Sequence, residues 1–140
     1  TNLEAAIGLA QLEKIKIHIR NRLRIARSYF EELKNVESLI LPVEKKYAKS
    51  VYWMFNATFK DYVKLDRDSV LRRLYKYGID ARYVPYPLNT LPPYRKIARG
   101  KKFPIAKKIF SRTNSLPTHE NLTQSDIKYI CNKLKHILQQ

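Results

Sequence analysis

The side chains best suited to chemistry gather around one stretch, Pro85-Tyr86-Pro87-Leu88-Asn89-Thr90-Leu91-Pro92-Pro93-Tyr94, entered through Arg82 and Tyr83. Its prolines fix φ and remove backbone donors, so it reads as a rigid loop, neither helix nor central strand. Arg82, Tyr83, Tyr86 and Tyr94 give that loop aromatic faces and a guanidinium. The set suits a sugar, a base or a phosphate, because rings stack on rings and a guanidinium offers two parallel hydrogen bonds to an oxyanion. The plainer alternative is that Tyr86 and Tyr94 pack the loop down.

Elsewhere the chemistry is sparse. His18 lies in the charged part of a helical stretch, His136 near the C-terminus, and His119 in the loop Leu116-Pro117-Thr118-His119-Glu120. No two of them, nor any of them with Cys131, have metal-ligand spacing. Only His119 sits in a loop suited to a site. Cys131 falls on an apolar helical stripe and reads as a buried, inert thiol. A catalytic lysine needs desolvation or a neighbouring cation. Lys101-Lys102 and Lys107-Lys108 have the cation, but in a segment that reads as exposed. Three glycines leave no dinucleotide fingerprint and no P-loop. No self-contained active site emerges.

The 140 residues carry 28 Lys+Arg against 12 Asp+Glu, a formal net charge of +16, which points first to an anionic partner such as nucleic acid. Half of that charge sits in residues 83–112, which hold Arg95, Lys96, Arg99, Lys101, Lys102, Lys107, Lys108 and Arg112 and no acid. Such a segment either binds anions or forms a solvated face. No apolar run approaches the ~20 residues of a membrane span. One cysteine excludes an internal disulfide framework, and with no signal-peptide pattern the expected compartment is reducing and cytoplasmic.

The elements that must position these groups follow from periodicity. Thr1-Asn2-Leu3-Glu4 has capping-box spacing, and Leu3, Ile7, Ala10, Ile15, Ile19, Leu23, Ala26, Phe30 and Leu33 predict one helix to about Lys34. Its first third is apolar nearly all round, which calls for close neighbours on most sides. The rest of the sequence is too short to supply them, so another domain or a second subunit is expected. Val51 to Phe59 alternates as a strand, with Trp53 either in the core or on a pocket wall. Leu39-Ile40-Leu41 suggests a short strand. Asp66 caps a helix to Tyr77, with Val70, Leu74 and Tyr77 inward and Gly78 as its stop. A strand over residues 79–83, a short helix over 104–112 and a final helix capped by Thr123 and Asp126 complete the pattern. On the last helix, Ile127, Ile130, Cys131, Leu134, Ile137 and Leu138 form the apolar face. The class is α/β or α+β in one compact domain.

In this order, the segments resemble the C-terminal part of the DegT/DnrJ/EryC1/StrS aminotransferases, sugar aminotransferases dependent on pyridoxal 5'-phosphate (PLP). Residues 1–13, TNLEAAIGLAQLE, are similar to the family's long-helix motif, and Val51-Tyr52-Trp53-Met54-Phe55 to its small-domain strand in perosamine synthase-like members. Gly78-Ile79-Asp80-Ala81-Arg82, with Tyr86-Pro87-Leu88 and Pro93-Tyr94, resembles the loop that approaches the sugar nucleotide. Ser115-Leu116-Pro117-Thr118-His119 and Leu122-Thr123 resemble the closing motif. Two departures stand out: Tyr83-Val84-Pro85 replaces the aromatic residues common after the loop arginine, and Ala81 stands where Thr is common.

The resemblance implies an α+β small domain of a fold-type I PLP enzyme, its small, mostly antiparallel sheet covered by helices. Residues 1–140 would be that domain with the inter-domain helix, about 1–35, and the large PLP-binding domain would lie outside this sequence. The lysine that holds PLP lies upstream in the family, and nothing here matches its motif. The implied reaction passes an amino group, typically from glutamate, to a keto sugar on a nucleotide, with PLP as electron sink. Arg82, Tyr83 and Tyr86 would meet the sugar nucleotide. No PLP and no metal is expected on this fragment, which should not transaminate alone. A homodimer using the start of the long helix is implied, without nucleic acid or membrane. Two other readings stand: a basic nucleic-acid-binding module, supported by charge alone, and a non-catalytic relative of the aminotransferases.

Overall fold

The structure is a computed structural model of the chain and describes residues 1–139. Helix α1 (Asn2–Glu13) and helix α2 (Ile15–Leu33) come first, then strands β1 (Leu39–Ile40) and β2 (Phe55–Phe59). Helix α3 (Arg67–Lys76), strand β3 (Arg82–Tyr83), helix α4 (Arg95–Ala98), helix α5 (Pro104–Arg112), strand β4 (Thr113–Leu116) and helix α6 (Gln124–Leu138) follow. The four strands form one antiparallel sheet in the order β1-β2-β4-β3. This is the α+β arrangement of helices on a small antiparallel sheet.

The core forms because β2 alternates. Phe55, Ala57 and Phe59 are buried while Asn56 and Thr58 are not, so one sheet face is apolar and must be covered. Helices α2, α3 and α6 supply the cover with Ile25, Tyr29, Leu33, Val70, Leu74, Ile127, Leu134 and Ile137. Tyr29 stacks on Phe55 with ring centroids 4.8 Å apart. Its hydroxyl donates to the carbonyl of Pro117 at 2.8 Å, so the largest buried side chain keeps its polar tip satisfied. The expected caps are present at Asp66 and at Thr123 with Asp126. Helix α3 stops at Gly78, φ +73°. There Gly78 N–H reaches the Tyr75 carbonyl and Ile79 N–H the Leu74 carbonyl, the paired bonds of a glycine C-cap.

Several expectations needed correction. The helix predicted to run to Lys34 is broken at Lys14, with no proline or glycine responsible. The break falls where packing ends: α1 buries no residue, whereas α2 buries Ile25, Ala26, Tyr29 and Leu33. The strand expected from Val51 begins only at Phe55. Tyr52 takes φ +46°, and the Trp53 carbonyl is claimed by Arg22 and Thr118 side chains, so no ladder forms there. Residues 79–81 close the end of α3 and leave only Arg82–Tyr83 as strand. The proline loop contains two 3-10 turns, Leu88–Thr90 and Pro92–Tyr94, the latter with prolines at its first positions, where no N–H is needed. Tyr77, expected inward, is only half-buried, and Leu138 packs at the core's margin. Strand β4 had no counterpart among the predicted elements, although it lies between β2 and β3.

Candidate functional site

Strand β3 lies at the sheet edge beside β4, with Arg82 opposite Ser115 and Tyr83 opposite Asn114. This pairing puts the start of the proline loop next to the segment that follows β4. Between them opens a cleft of about 990 Å³, lined by Arg82, Tyr83 and Tyr86 on one side and by Ser115 to His119 on the other. Trp53 and Met54 from the β1–β2 connection and Tyr129 from α6 complete the wall. Trp53 is 67% exposed, which makes it a cleft wall and not core.

Arg82 projects from the edge strand with its side chain 76% exposed. Asp80 holds it, accepting from Nη2 at 2.8 Å and Nε at 3.2 Å, and this pairing makes the guanidinium still harder to deprotonate. The cation therefore stays charged and aimed by a fixed partner. Tyr83 lies against the guanidinium of Arg67, whose central carbon is 4.5 Å from the ring centroid. The same guanidinium sits 4.1 Å from the Phe110 ring centre, and Phe110 in turn touches Tyr86 at 4.8 Å between centroids. Tyr83 and Tyr86 remain 45% and 59% exposed, each with ring surface open to the cleft.

The opposite wall is anchored from α2. Arg22 Nη1 donates to the Trp53 carbonyl at 3.2 Å and to the carbonyl and hydroxyl oxygens of Thr118, each at 3.3 Å. Thr118 Oγ1 donates to the Trp53 carbonyl at 3.0 Å. One guanidinium thus ties together the two loops that carry Trp53 and Thr118. Nearby, His18 Nδ1 meets Glu120 Oε1 at 2.7 Å, and this contact holds the Glu120 carboxyl below the usual carboxylate range. His119 is exposed and lines the cleft, whereas His18 serves the wall. Cys131 is buried and its thiol is pushed up to about 12, as an inert core thiol requires.

The expected trio, Arg82, Tyr83 and Tyr86, therefore shares one cleft. Tyr94 does not join it; it lines a separate groove with Leu88 and Ile97. Arg67 and Arg22 were not anticipated. Arg67 reads as an ordinary first-turn residue after the cap Asp66, and Arg22 as one of four arginines along α2. No spacing rule connects either to the loop.

Residues 1–135 match the DegT/DnrJ/EryC1/StrS aminotransferase family. The chain belongs to this family. It is 34% identical to an uncharacterized protein of Methanocaldococcus jannaschii, over 100% of this chain and 37% of that one. It is 32% identical to a GDP-perosamine synthase of Caulobacter vibrioides, over 99% of this chain and 37% of that enzyme. Among solved structures it superposes on the aminotransferase TlmJ of Streptoalloteichus hindustanus with TM-score 0.83 and 27% identity, over 96% of this chain and 36% of that one. The chain thus spans little more than a third of the length of the curated relatives it matches. As a family member it raises the question of PLP, and its cleft does not fit that cofactor. No lysine lines it to bond the aldehyde. Arg22, one of its two lining guanidiniums, is spent on loop oxygens. Among the described residues, no group of three His, Cys, Asp or Glu is placed to hold a metal, and no helix is long and apolar enough to cross a membrane.

Proposed function

We propose that this chain is the C-terminal small domain of a PLP-dependent aminotransferase that moves an amino group onto a keto sugar carried by a nucleotide, for amino-sugar or cell-surface polysaccharide synthesis. The observation that carries the reading is the convergence of Arg82, Tyr83 and Tyr86 on one cleft. Arg82 takes the diphosphate oxygens, which match its planar donor fork. Tyr83 and Tyr86 cover the ring that follows. The likeness to GDP-perosamine synthase supports a nucleotide-linked substrate; in this reading glutamate is the amino donor.

In this reading PLP and its lysine come from residues outside this chain, and the chain alone binds substrate without transaminating. The parent enzyme is a cytoplasmic homodimer. Helix α1 supports the need for a further partner surface, because Leu3, Ile7, Leu9 and Leu12 are 57–72% exposed on a helix that buries nothing. None of the eight basic side chains of residues 83–112 lines the cleft, so their +8 acts on an anionic substrate only as a longer-range positive field.

Calorimetric titration of the chain with GDP-mannose tests the proposal. Saturable binding that weakens in Arg82→Ala supports it. Duplex DNA binding with steep salt dependence, and none to the nucleotide sugar, would replace it with the nucleic-acid reading.

A further inference from the structure

Arg67 is the first residue of α3, and its side chain is only 13% exposed. A guanidinium so covered needs compensation, and it has three kinds. Its Nε donates to Asp68 Oδ1 at 2.9 Å and its Nη1 to the Phe110 carbonyl at 2.6 Å. Its central carbon lies over two aromatic rings, 4.5 Å from the Tyr83 centroid and 4.1 Å from that of Phe110. Its own carbonyl accepts from Asn114 Nδ2 at 3.3 Å, which pins the start of α3 to β4 beside the cleft.

The order of contacts is a stack running across three elements: Tyr83 on β3, Arg67 on α3, Phe110 on α5, then Tyr86 in the loop. A cation over two rings favours a defined placement of both, since each contact is strongest with the charge over the ring face. Tyr83 and Tyr86, both on the cleft, are the end members of that stack. Among the described residues no hydrogen bond holds the Tyr83 or Tyr86 hydroxyl, so the stack is what sets their ring planes.

We infer that Arg67 is a positioning residue for the nucleotide-sugar cleft: it touches no substrate, and it sets Tyr83 directly and Tyr86 through Phe110. This rests on the reading of the cleft as a nucleotide-sugar site. It also adds a specificity element, because the placement of the two rings shapes the cleft surface that a bound group meets.

The test uses GDP as probe on the chain and its Arg67→Met, Arg67→Lys and Phe110→Leu variants, with tyrosine ring resonances read alongside. Tyr83→Phe and Tyr86→Phe assign those resonances. Arg67→Met is expected to shift both ring signals and to weaken GDP binding about tenfold. Arg67→Lys keeps a cation between the rings and restores most of the affinity, a rescue that bulk packing would not produce. Phe110→Leu removes the ring that joins Arg67 to Tyr86, and is expected to move the Tyr86 signal more than that of Tyr83, which keeps its direct contact with Arg67. It also covers the case in which Arg67→Met does not fold. Unmoved tyrosine signals in a folded Arg67→Met chain, or unchanged GDP affinity there, would overturn the inference. If the wild-type chain binds no GDP, the nucleotide reading fails, and the ring signals alone decide whether Arg67 positions the tyrosines.

Discussion

Asp80 and Arg82 form a two-point contact at the mouth of the cleft, one carboxylate oxygen accepting from both Nη2 and Nε. They are two residues apart, and both side chains are largely exposed, at 68% and 76%. The pair therefore contributes little to stability. Under the proposed function its effect is on direction and on competition, because the carboxylate that aims Arg82 would also stand beside an anionic substrate. Asp80→Asn is expected to tighten binding of a nucleoside diphosphate about two- to fivefold at low salt. Titration calorimetry at two ionic strengths measures it. Weaker binding in the variant shows that aiming outweighs repulsion.

Removing the cation itself acts in the other direction. Arg82→Ala in the complete enzyme is expected to raise KM for the nucleotide sugar about ten- to hundredfold, the loss of a charged hydrogen-bonded contact, with kcat changed far less. An unchanged KM takes Arg82 out of the site.

The floor of the cleft is tied to the core by Tyr29, whose hydroxyl donates to the Pro117 carbonyl at 2.8 Å. The residue is fully buried, and burial pushes its phenol far above the ordinary range, so it remains a donor at any working pH. Tyr29→Phe keeps the stack on Phe55 but orphans the carbonyl. The expected cost is about 1–2 kcal/mol of unfolding free energy in urea. A variant as stable as the parent shows that water reaches Pro117.

Cys131 offers a simple probe of that same core. With the thiol buried and held near 12, a thiol reagent at neutral pH is expected to leave the folded chain unlabelled and to react once urea unfolds it. Rapid labelling of the native chain argues against the packing of α6.

The helices and the cleft loop were legible because their signals are local. The stripe Ile127, Ile130, Cys131, Leu134, Ile137 and the Thr123–Asp126 cap lie within one segment, and all are realised. Arg82, Tyr83 and Tyr86 are near neighbours in sequence, so their shared place on one cleft was readable from the loop that joins them. Strand β4 was invisible for the opposite reason. Thr113, Asn114 and Ser115 are polar yet buried, because partners lie on both sides: Thr113 bonds Thr58 at 2.9 Å and Asn114 bonds the Arg67 carbonyl. Val51 to Met54 misled in turn, since its alternation matches a strand while Tyr52 bends the chain away. Arg67 reaches the Phe110 carbonyl across 43 residues of sequence and Arg22 the Thr118 carbonyl across 96, distances at which spacing carries no information.

The His18–Glu120 contact makes the cleft wall acid-sensitive. Glu120 ordinarily titrates near 4.5, and in the folded chain it is held lower, first by the close His18 contact and then by Asn21, with Arg22 adding positive charge. A carboxyl with a depressed folded value binds fewer protons than its unfolded counterpart through that interval. Its stabilising contribution is therefore complete above 4.5 and is lost as pH falls through the lower folded value. Urea midpoints are expected to drop below about pH 4.5, and Glu120→Gln to remove part of that slope while leaving the neutral-pH limb flat. Arg22 and the Thr118 loop sit on the same wall, so tyrosine and Trp53 fluorescence are expected to change over the same interval. An acid limb identical in Glu120→Gln and the parent would assign the sensitivity to the other depressed carboxyls, Glu4, Asp61, Asp66 and Asp126, and remove Glu120 from the wall's pH response.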